Sequence, residues 1–356
     1  MKKVIKINFR NCGGDLNPEN NFFTNLLRRT YDVIIDDNPD LIFYSVYPES
    51  PKDQKDLSKK GDSIRKISPE LYIMTRKIYS GVKNILHKEK EVQHPTEDAI
   101  KIFYSSEKIK PDMSKCDFAF SDCPEEEINH PNHTRLLPHL LTDFLFKDEK
   151  ELPFKREVDF QKIKNEKTKF CNFLYFQDVS LRNKFFSRLS KYKKIDSPGR
   201  CMNNMPSIGN YKSAKGSRGS INWAQEKLDF IKDYKFTIAF ENEIAEGYTT
   251  EKLVHPLLVN SIPIYFGNKK VGRDFNEKCF INYHDFKSMK DLINHIIEVD
   301  TNDELYKEYI EQPIFKDKKQ HYFNSRERII KKLNEIVLLT TNKVKKEIDK
   351  ISGGLK

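Results

Sequence analysis

The 356-residue sequence has no run of about twenty apolar residues, the length a helix needs to cross a bilayer, so no spanning helix is expected. It has no G-x-x-x-x-G-K-[ST] loop and no G-x-G-x-x-G turn, which removes the two commonest phosphate cradles. Cysteine is sparse: Cys12, Cys116, Cys123, Cys171, Cys201 and Cys279 are scattered without C-x-x-C spacing, which argues against a structural zinc or redox motif and reads as six thiols. The opening "MKKVIKINFRNCGG" is basic but carries too few apolar residues for a signal-peptide core, and no small-residue cleavage site follows. The chain is therefore expected to be made and kept in the cytosol. The single tryptophan, Trp223, has Lys and Arg neighbours but no nucleic-acid-binding module around it, so no nucleic-acid partner is expected.

What is present is positive charge and aromatic bulk. Lys and Arg number 63 against 53 Asp and Glu, a formal charge of +10 that suits an anionic partner: nucleic acid, a membrane surface or a phosphorylated small molecule. Composition does not choose among these. Twenty-five Phe and sixteen Tyr argue for packed cores, and the length fits two domains of roughly 150–200 residues each.

Short Ile-, Val-, Phe- and Tyr-rich runs at 4–9, 32–36, 41–47, 99–105 and 116–121 read as strands, and 68–86 reads as a helix with Leu71, Met74, Ile78 and Val82 at helical spacing. A charged stretch over 147–169 reads as a partly helical connection. Strand signals then resume at 170–176, 236–240, 262–266 and 279–283, and a polar Gly/Ser/Lys loop fills 210–223. Strands alternating with helices predict an α/β protein: parallel sheets wound by right-handed crossovers, as two Rossmann-like domains (1–150 and 151–322) facing each other across a cleft. Residues 323–356 read as a basic amphipathic helix, with Ile329, Ile330, Leu333, Ile336, Val337, Val344 and Ile348 at helical period. Such a helix either packs back onto the body or makes peripheral contact with anionic lipid.

"FENEIAEGYTTEKL" at 240–253 concentrates polar groups between two apolar segments. A buried strand ends at Phe240, Gly247 supplies a turn, and Thr249 or Thr250 can cap a helix starting near Glu251. Ligands of open α/β sheets bind outside the carboxyl ends of the strands, and a helix N-terminus there offers free N–H groups and positive dipole for phosphate. Asn242, Tyr248 and Lys252 add donors, and Glu251 can accept from sugar hydroxyls. The loop thus suits a nucleotide diphosphate carrying a sugar.

Residues 234–286, "YKFTIAFENEIAEGYTTEKLVHPLLVNSIPIYFGNKKVGRDFNEKCFINYHDF", resemble the signature of the α-1,3/α-1,4-fucosyltransferases, especially the bacterial enzymes. Weaker resemblance in "KIFYSSEKIKPD" and "LRNKFFSRLSKYKKIDSPG" extends it over most of 99–315. The resemblance implies two Rossmann-like domains of GT-B architecture and GDP-fucose held by the second. It implies a glycan acceptor on the first, usually of N-acetyllactosamine type, and inversion at the transferred carbon. By position it implies Glu107 as the catalytic carboxylate and Arg182, Asn242, Tyr248, Glu251 and Lys252 as donor-binding residues, with Arg182 on the diphosphate. The chain departs from the family in reading Ser105-Ser106-Glu107-Lys108 where a Gly commonly precedes the glutamate, and in carrying Pro256 inside the expected helix, where a kink is expected.

The implied reaction is transfer of L-fucose from GDP-fucose to a glycan hydroxyl in α-1,3 linkage, Glu107 taking the hydroxyl proton. No Asp-x-Asp pair exists to hold a divalent cation against a diphosphate, so no essential metal or other cofactor is expected. The histidines of "HPNHTRLLPH" (130–139) fit no zinc spacing; His130 or His133 could instead line the acceptor side. Two alternatives stay open: another nucleotide sugar as donor, or a non-catalytic glycan- or nucleotide-binding relative.

Overall fold

The computed structural model describes residues 2–12, 16–47, 94–95, 98–105, 109–143, 153, 158–208 and 223–353. The expected helix at 68–86, the segment 48–93, nearly all of the loop at 210–223 and Glu107 lie outside the described residues.

The first half comprises β1 (Val4–Cys12), α1 (Phe22–Arg28), β2 (Asp32–Ile35), β3 (Leu41–Tyr47), β4 (Ile100–Tyr104), β5 (Phe118–Ser121), α2 (Glu125–Ile128), β6 (His133–Arg135) and α3 (Pro138–Asp143). Its strands form one six-stranded sheet in the order β2-β1-β3-β4-β5-β6, every pair parallel. In β3, Leu41, Ile42, Phe43, Tyr44 and Val46 are all buried, so both sheet faces are covered, as a central parallel strand requires. Asn21 caps α1 by accepting from the N–H groups of Phe23 and Thr24. Phe23 then packs its ring on Phe43, Tyr104 and Phe120.

The second half comprises α4 (Phe160–Glu166), β7 (Lys169–Asn172), α5 (Ser180–Leu189), β8 (Ile195–Asp196), α6 (Trp223–Ile231), β9 (Tyr234–Phe240), α7 (Glu251–Leu258), β10 (Ile262–Phe266), β11 (Ile281–Asn282), α8 (Met289–Thr301), α9 (Asp303–Glu311) and α10 (Lys318–Phe323). Its five strands run parallel in the order β11-β10-β9-β7-β8. Two parallel sheets built from consecutive β-α units are the α/β architecture expected from the sequence.

The last helix, α11 (Arg326–Gly353), leaves the second half and returns to the first. Ile329, Leu333, Ile336 and Val337 are buried in the same core as Ile5, Phe43 and Phe120. Their i, i+4, i+7, i+8 spacing is that of one helix face, so this stretch packs back onto the body. The side chains of Val344 and Ile348 lie outside the described residues.

Several sequence-based boundaries shift. The strand expected at 170–176 stops at Asn172, because Phe173 N–H turns to the carbonyl of Asp196 and β9 takes its next partner from the phenol of Tyr175. The strand expected at 279–283 shrinks to β11, since Glu277–Cys279 form a 3-10 turn. β6 and β8 were not expected: three and two residues long, both lack the apolar run that marks a strand. Pro256 falls near the end of α7, which stops two residues later at Leu258; its carbonyl accepts from Val259 and Ser261. Among the described residues, no helix is long and apolar enough to cross a membrane.

The two halves meet through a buried latch. Arg135, 1% exposed, donates to both carboxylate oxygens of Asp274 at 2.8 and 2.7 Å and to the carbonyls of Asp122 and Gly247 at 3.2 Å each. Asn324 ties the same corner by donating to the Asp274 carbonyl and pairing with His139 at 3.0 Å.

Candidate active site

The polar loop follows β9 directly. Glu241 is 2% exposed, and one carboxylate oxygen accepts from the Thr250 N–H at 2.8 Å and from its hydroxyl at 2.9 Å. Thr250 is the N-cap of α7 and accepts from the N–H of Lys252. One carboxylate thus fastens the start of the helix to the end of the strand. Lys252 Nζ lies 3.3 Å from Glu241 and 3.6 Å from Glu251, and Lys227 of α6 approaches Glu251 at 3.9 Å. Two acids and two lysines therefore share one largely buried cluster at the carboxyl end of the sheet.

The charges tune one another. Burial pushes the Glu241 carboxyl up, with Lys252 opposing. Burial works the same way on Glu251, but Lys252 and Lys227 outweigh it and hold that carboxyl well below its usual range. Lys252 is held above the usual lysine range because Glu251 and Glu241 overcome its burial. Lys227 has less compensation, and burial lowers it to about 8.

Arg182 lies beneath this cluster. It is 1% exposed, its guanidinium sits 3.7 Å over the Tyr175 ring, and one terminal nitrogen donates to the Phe240 and Glu241 carbonyls and to Asn242 Oδ1 at 2.9–3.1 Å. Arg182 therefore orients Asn242, whose residue is exposed at the loop surface. Tyr248 is 8% exposed and follows Gly247, whose φ of 84° and 2.3 Å approach of a hypothetical Cβ to the Asp122 carbonyl press the loop onto the first half.

The structure thus brings Arg182 and Asn242 together, and Glu251 and Lys252, with Tyr248 in the same loop. Glu107 lies outside the described residues; the chain enters its segment from Ser105, just past the end of β4, where the Ser105 N–H bonds the Phe120 carbonyl. Glu241 and Lys227 were missed in the sequence. Lys227 had a signal: Ala224, Lys227, Leu228 and Ile231 share a helical face, and the other three are core residues. Glu241 had only its place directly after the buried run Phe236–Phe240.

Of the histidines considered as ligands or acceptor-side groups, His133 bonds Ser121 at 2.9 Å, and burial lowers it to about 4. His130 is exposed, and its ring accepts from the Asn132 N–H at 3.2 Å. Among the described residues no group of three His, Cys, Asp or Glu side chains could hold a metal ion.

Residues 164–347 match the model of the C-terminal part of glycosyltransferase family 10 (fucosyltransferase), and this span contains the whole charged cluster. The chain belongs to glycosyltransferase family 10. Family relatives include the α-(1,3)-fucosyltransferase FucT of Helicobacter pylori, 40% identical over 82 residues, 23% of this chain and 17% of that protein. GDP-fucose protein O-fucosyltransferase 3 of Xenopus tropicalis is 36% identical over 133 residues, 36% of this chain and 27% of that protein. The chain spans less than a third of the length of these curated relatives. A crystal structure of an α1,3-fucosyltransferase with GDP-fucose superposes on 94% of this chain and 91% of its own, with a TM-score of 0.63 at 18% identity. That likeness shows the GT-B type of fold for this family 10 chain.

Proposed function

We propose that the chain is an inverting fucosyltransferase that moves L-fucose from GDP-fucose to a hydroxyl of a glycan, with an N-acetyllactosamine-type unit and α-1,3 linkage as the first choice of product. The observation that carries this reading is the cluster at the start of α7: Lys252, fixed between Glu241 and Glu251 beside the first N–H groups of a helix. A cation and a positive helix end held without freedom to reorganise stabilise a leaving diphosphate as its charge grows. Glu251, kept ionised by two lysines, is suited to accept from the hydroxyls of a ribose or sugar.

In the proposed step the acceptor oxygen attacks the fucose anomeric carbon, its proton passes to Glu107, and the bond from that carbon to the diphosphate oxygen breaks to release GDP. The sequence resemblance and the place of Glu107 after β4 support its role as base. Asn242 and Tyr248 face the donor from the loop. Arg182 acts through Asn242 and the end of β9 as a positioning residue, because its guanidinium is buried and one terminal nitrogen is committed to them. The diphosphate charge is met by protein cations, so turnover is expected to survive chelation; loss of activity in EDTA with recovery on adding manganese would overturn that.

The experiment is an acceptor array assayed with GDP-fucose, with NMR of the product linkage. The array should include N-acetyllactosamine glycans and a folded peptide domain bearing Ser and Thr, since the Xenopus relative is named for transfer to protein. A panel of other nucleotide sugars tests the donor. GDP binding without turnover on any acceptor would favour a non-catalytic binding protein.

A further inference from the structure

One side chain of the first half reaches into the loop that follows β9. Arg135 ends β6, and one of its terminal nitrogens donates to the carbonyl of Gly247, 112 residues away, at 3.2 Å. That carbonyl also accepts from the Thr249 N–H at 3.1 Å, which closes a three-residue turn with Tyr248 at its centre. Arg135 is itself fixed: Nε donates to the Asp122 carbonyl, both terminal nitrogens donate to Asp274, and the guanidinium lies 5.3 Å from the centre of the Phe323 ring. A planar fork bonded to one carboxylate has a set orientation, so it holds the Gly247 carbonyl in one place.

The ion pairs around the same turn are weaker holds. Glu246 pairs with Lys270 at 2.7 Å and lies 3.9 Å from Arg273, which forks onto Glu126 of α2 at 2.6 and 2.8 Å. These four side chains are 38–63% exposed, and exposed pairs contribute little against water and salt. Arg135 is buried, so water does not compete for its bond to Gly247. Past Gly247 the loop runs through Tyr248 to Thr250, the N-cap of α7, and on to Lys252. The shape of this loop in the second half therefore depends on a residue of the first.

We propose that Arg135 is a positioning residue for the sugar donor: it holds the Gly247–Thr249 turn, and with it Tyr248, in the shape that receives the nucleotide. This rests on the reading of 240–253 as the loop that binds GDP-fucose. Arg135 touches no part of the nucleotide and acts only through the Gly247 carbonyl.

The test separates this hold from the general stability of a buried ion pair. Removing Arg135 alone would strand Asp274, so the variant is double: Arg135→Met with Asp274→Leu. Replacing both partners of a buried pair by apolar side chains is often neutral for stability, so it should melt near wild type. It should bind GDP about 10-fold more weakly by calorimetry, the result of a loop in its binding shape about a tenth of the time. KM for GDP-fucose should rise by the same factor while kcat stays within about twofold, since saturating donor restores the loop. Arg135→Lys keeps a charge against Asp274 but not the fork, and carries the same comparison where the double variant does not fold. Leu333→Ala, in the core of the first half, should melt lower yet bind GDP as the wild type does. With no ligand present, protection of the Tyr248 and Thr249 amides, bonded to Ala245 and Gly247, should fall in the double variant while β9 and β10 keep theirs. No GDP binding by the wild type would sink the donor reading, and the loop amides alone would then decide the hold of Arg135. Wild-type GDP affinity or wild-type loop protection in a folded Arg135 variant overturns the proposal. An equal loss of GDP affinity in Leu333→Ala overturns it too, because binding would then only follow stability.

Discussion

At the scale of single residues, the site rests on Lys252, among the described residues the one cation paired with both acids. Lys252→Ala leaves Glu241 buried without its counter-charge, and removing one partner of a buried pair costs about 3–5 kcal/mol. The variant should therefore melt lower and also bind GDP at least about 10-fold more weakly, the effect of one charge-assisted bond. Calorimetry and a thermal melt read the two losses separately; unchanged GDP affinity in a folded variant would move the donor site elsewhere. Glu107→Gln should show the reverse pattern. It keeps the size and hydrogen bonding of the side chain but cannot take a proton, so kcat should fall about 10²-fold or more while GDP affinity stays near wild type. Near-normal turnover would remove Glu107 from the mechanism. The sequence made the loop's chemistry legible because its polar groups stand between two apolar runs. It hid the restraint on Arg182, because a buried guanidinium aimed at carbonyls reads the same in one dimension as one aimed at a ligand.

Between residues and molecule stand the elements, and here the loop after β9 and the helix α11 carry testable consequences. Gly247 sits at φ 84° with the Asp122 carbonyl where a Cβ would be, 2.3 Å away. Gly247→Ala adds roughly 1–2 kcal/mol of left-handed strain and a contact that only movement of the loop or of the first half can relieve. The expected outcome is a raised KM for the donor with a lower melting temperature; wild-type values for both would show that the loop is not pinned there. In α11, Leu333 is 1% exposed within the core of the first half. Leu333→Ala should cost about 2–5 kcal/mol by denaturant unfolding, as buried leucines do. A loss under about 0.5 kcal/mol, the range of surface changes, would mean the helix is not part of that core. Most strands were legible because parallel strands covered on both faces are largely apolar, as β3 and β10 are and as Phe236–Phe240 of β9 is apart from Thr237. β6 and β8 were not, because edge strands of two or three residues are defined by pairing with the preceding strand, β5 or β7, rather than by their own composition. The apolar stripe of α11 showed that it had to be covered, but not whether by the body or by lipid.

For the molecule as a whole, acid should act on the junction of the two halves. His139 lies on α3, pairs with Asn324 and packs its ring against Phe275, while His255 is fully buried on α7. Burial lowers His139 to about 3 and His133 to about 4, and it holds His255 far below the usual value as well. These rings are neutral in the folded state, whereas in the unfolded chain they take up protons near pH 6.5. Between those values the unfolded state binds more protons, so stability must fall as pH falls, by about 1.4 kcal/mol per pH unit for each fully titrating histidine. Carboxylates held low, such as Glu126 at about 2 beside Arg273, join only below about pH 4.5. Glu241 opposes the trend, since its raised carboxyl takes a proton first in the folded state. Burial also lowers His94 and raises the Asp285 carboxyl, so four imidazoles against two carboxyls leave a net loss between pH 6.5 and 4.5. Urea midpoints at pH 7, 6 and 5 should decline across that window, and His133→Gln, which can keep the bond to Ser121, should reduce the slope by about one proton. Equal midpoints at pH 7 and 5 would show that the imidazoles are not held neutral. The Arg135–Asp274 pair lies at the same junction, with both side chains 1% exposed. Parting of the halves exposes His139, which then takes up a proton at pH 5, so acid favours the opened junction over the closed one. Protection factors of the Gly247 loop, which correct for the slower intrinsic exchange in acid, should therefore fall at pH 5 before those of the strands of either sheet do, because that loop is held across the junction by Arg135 itself.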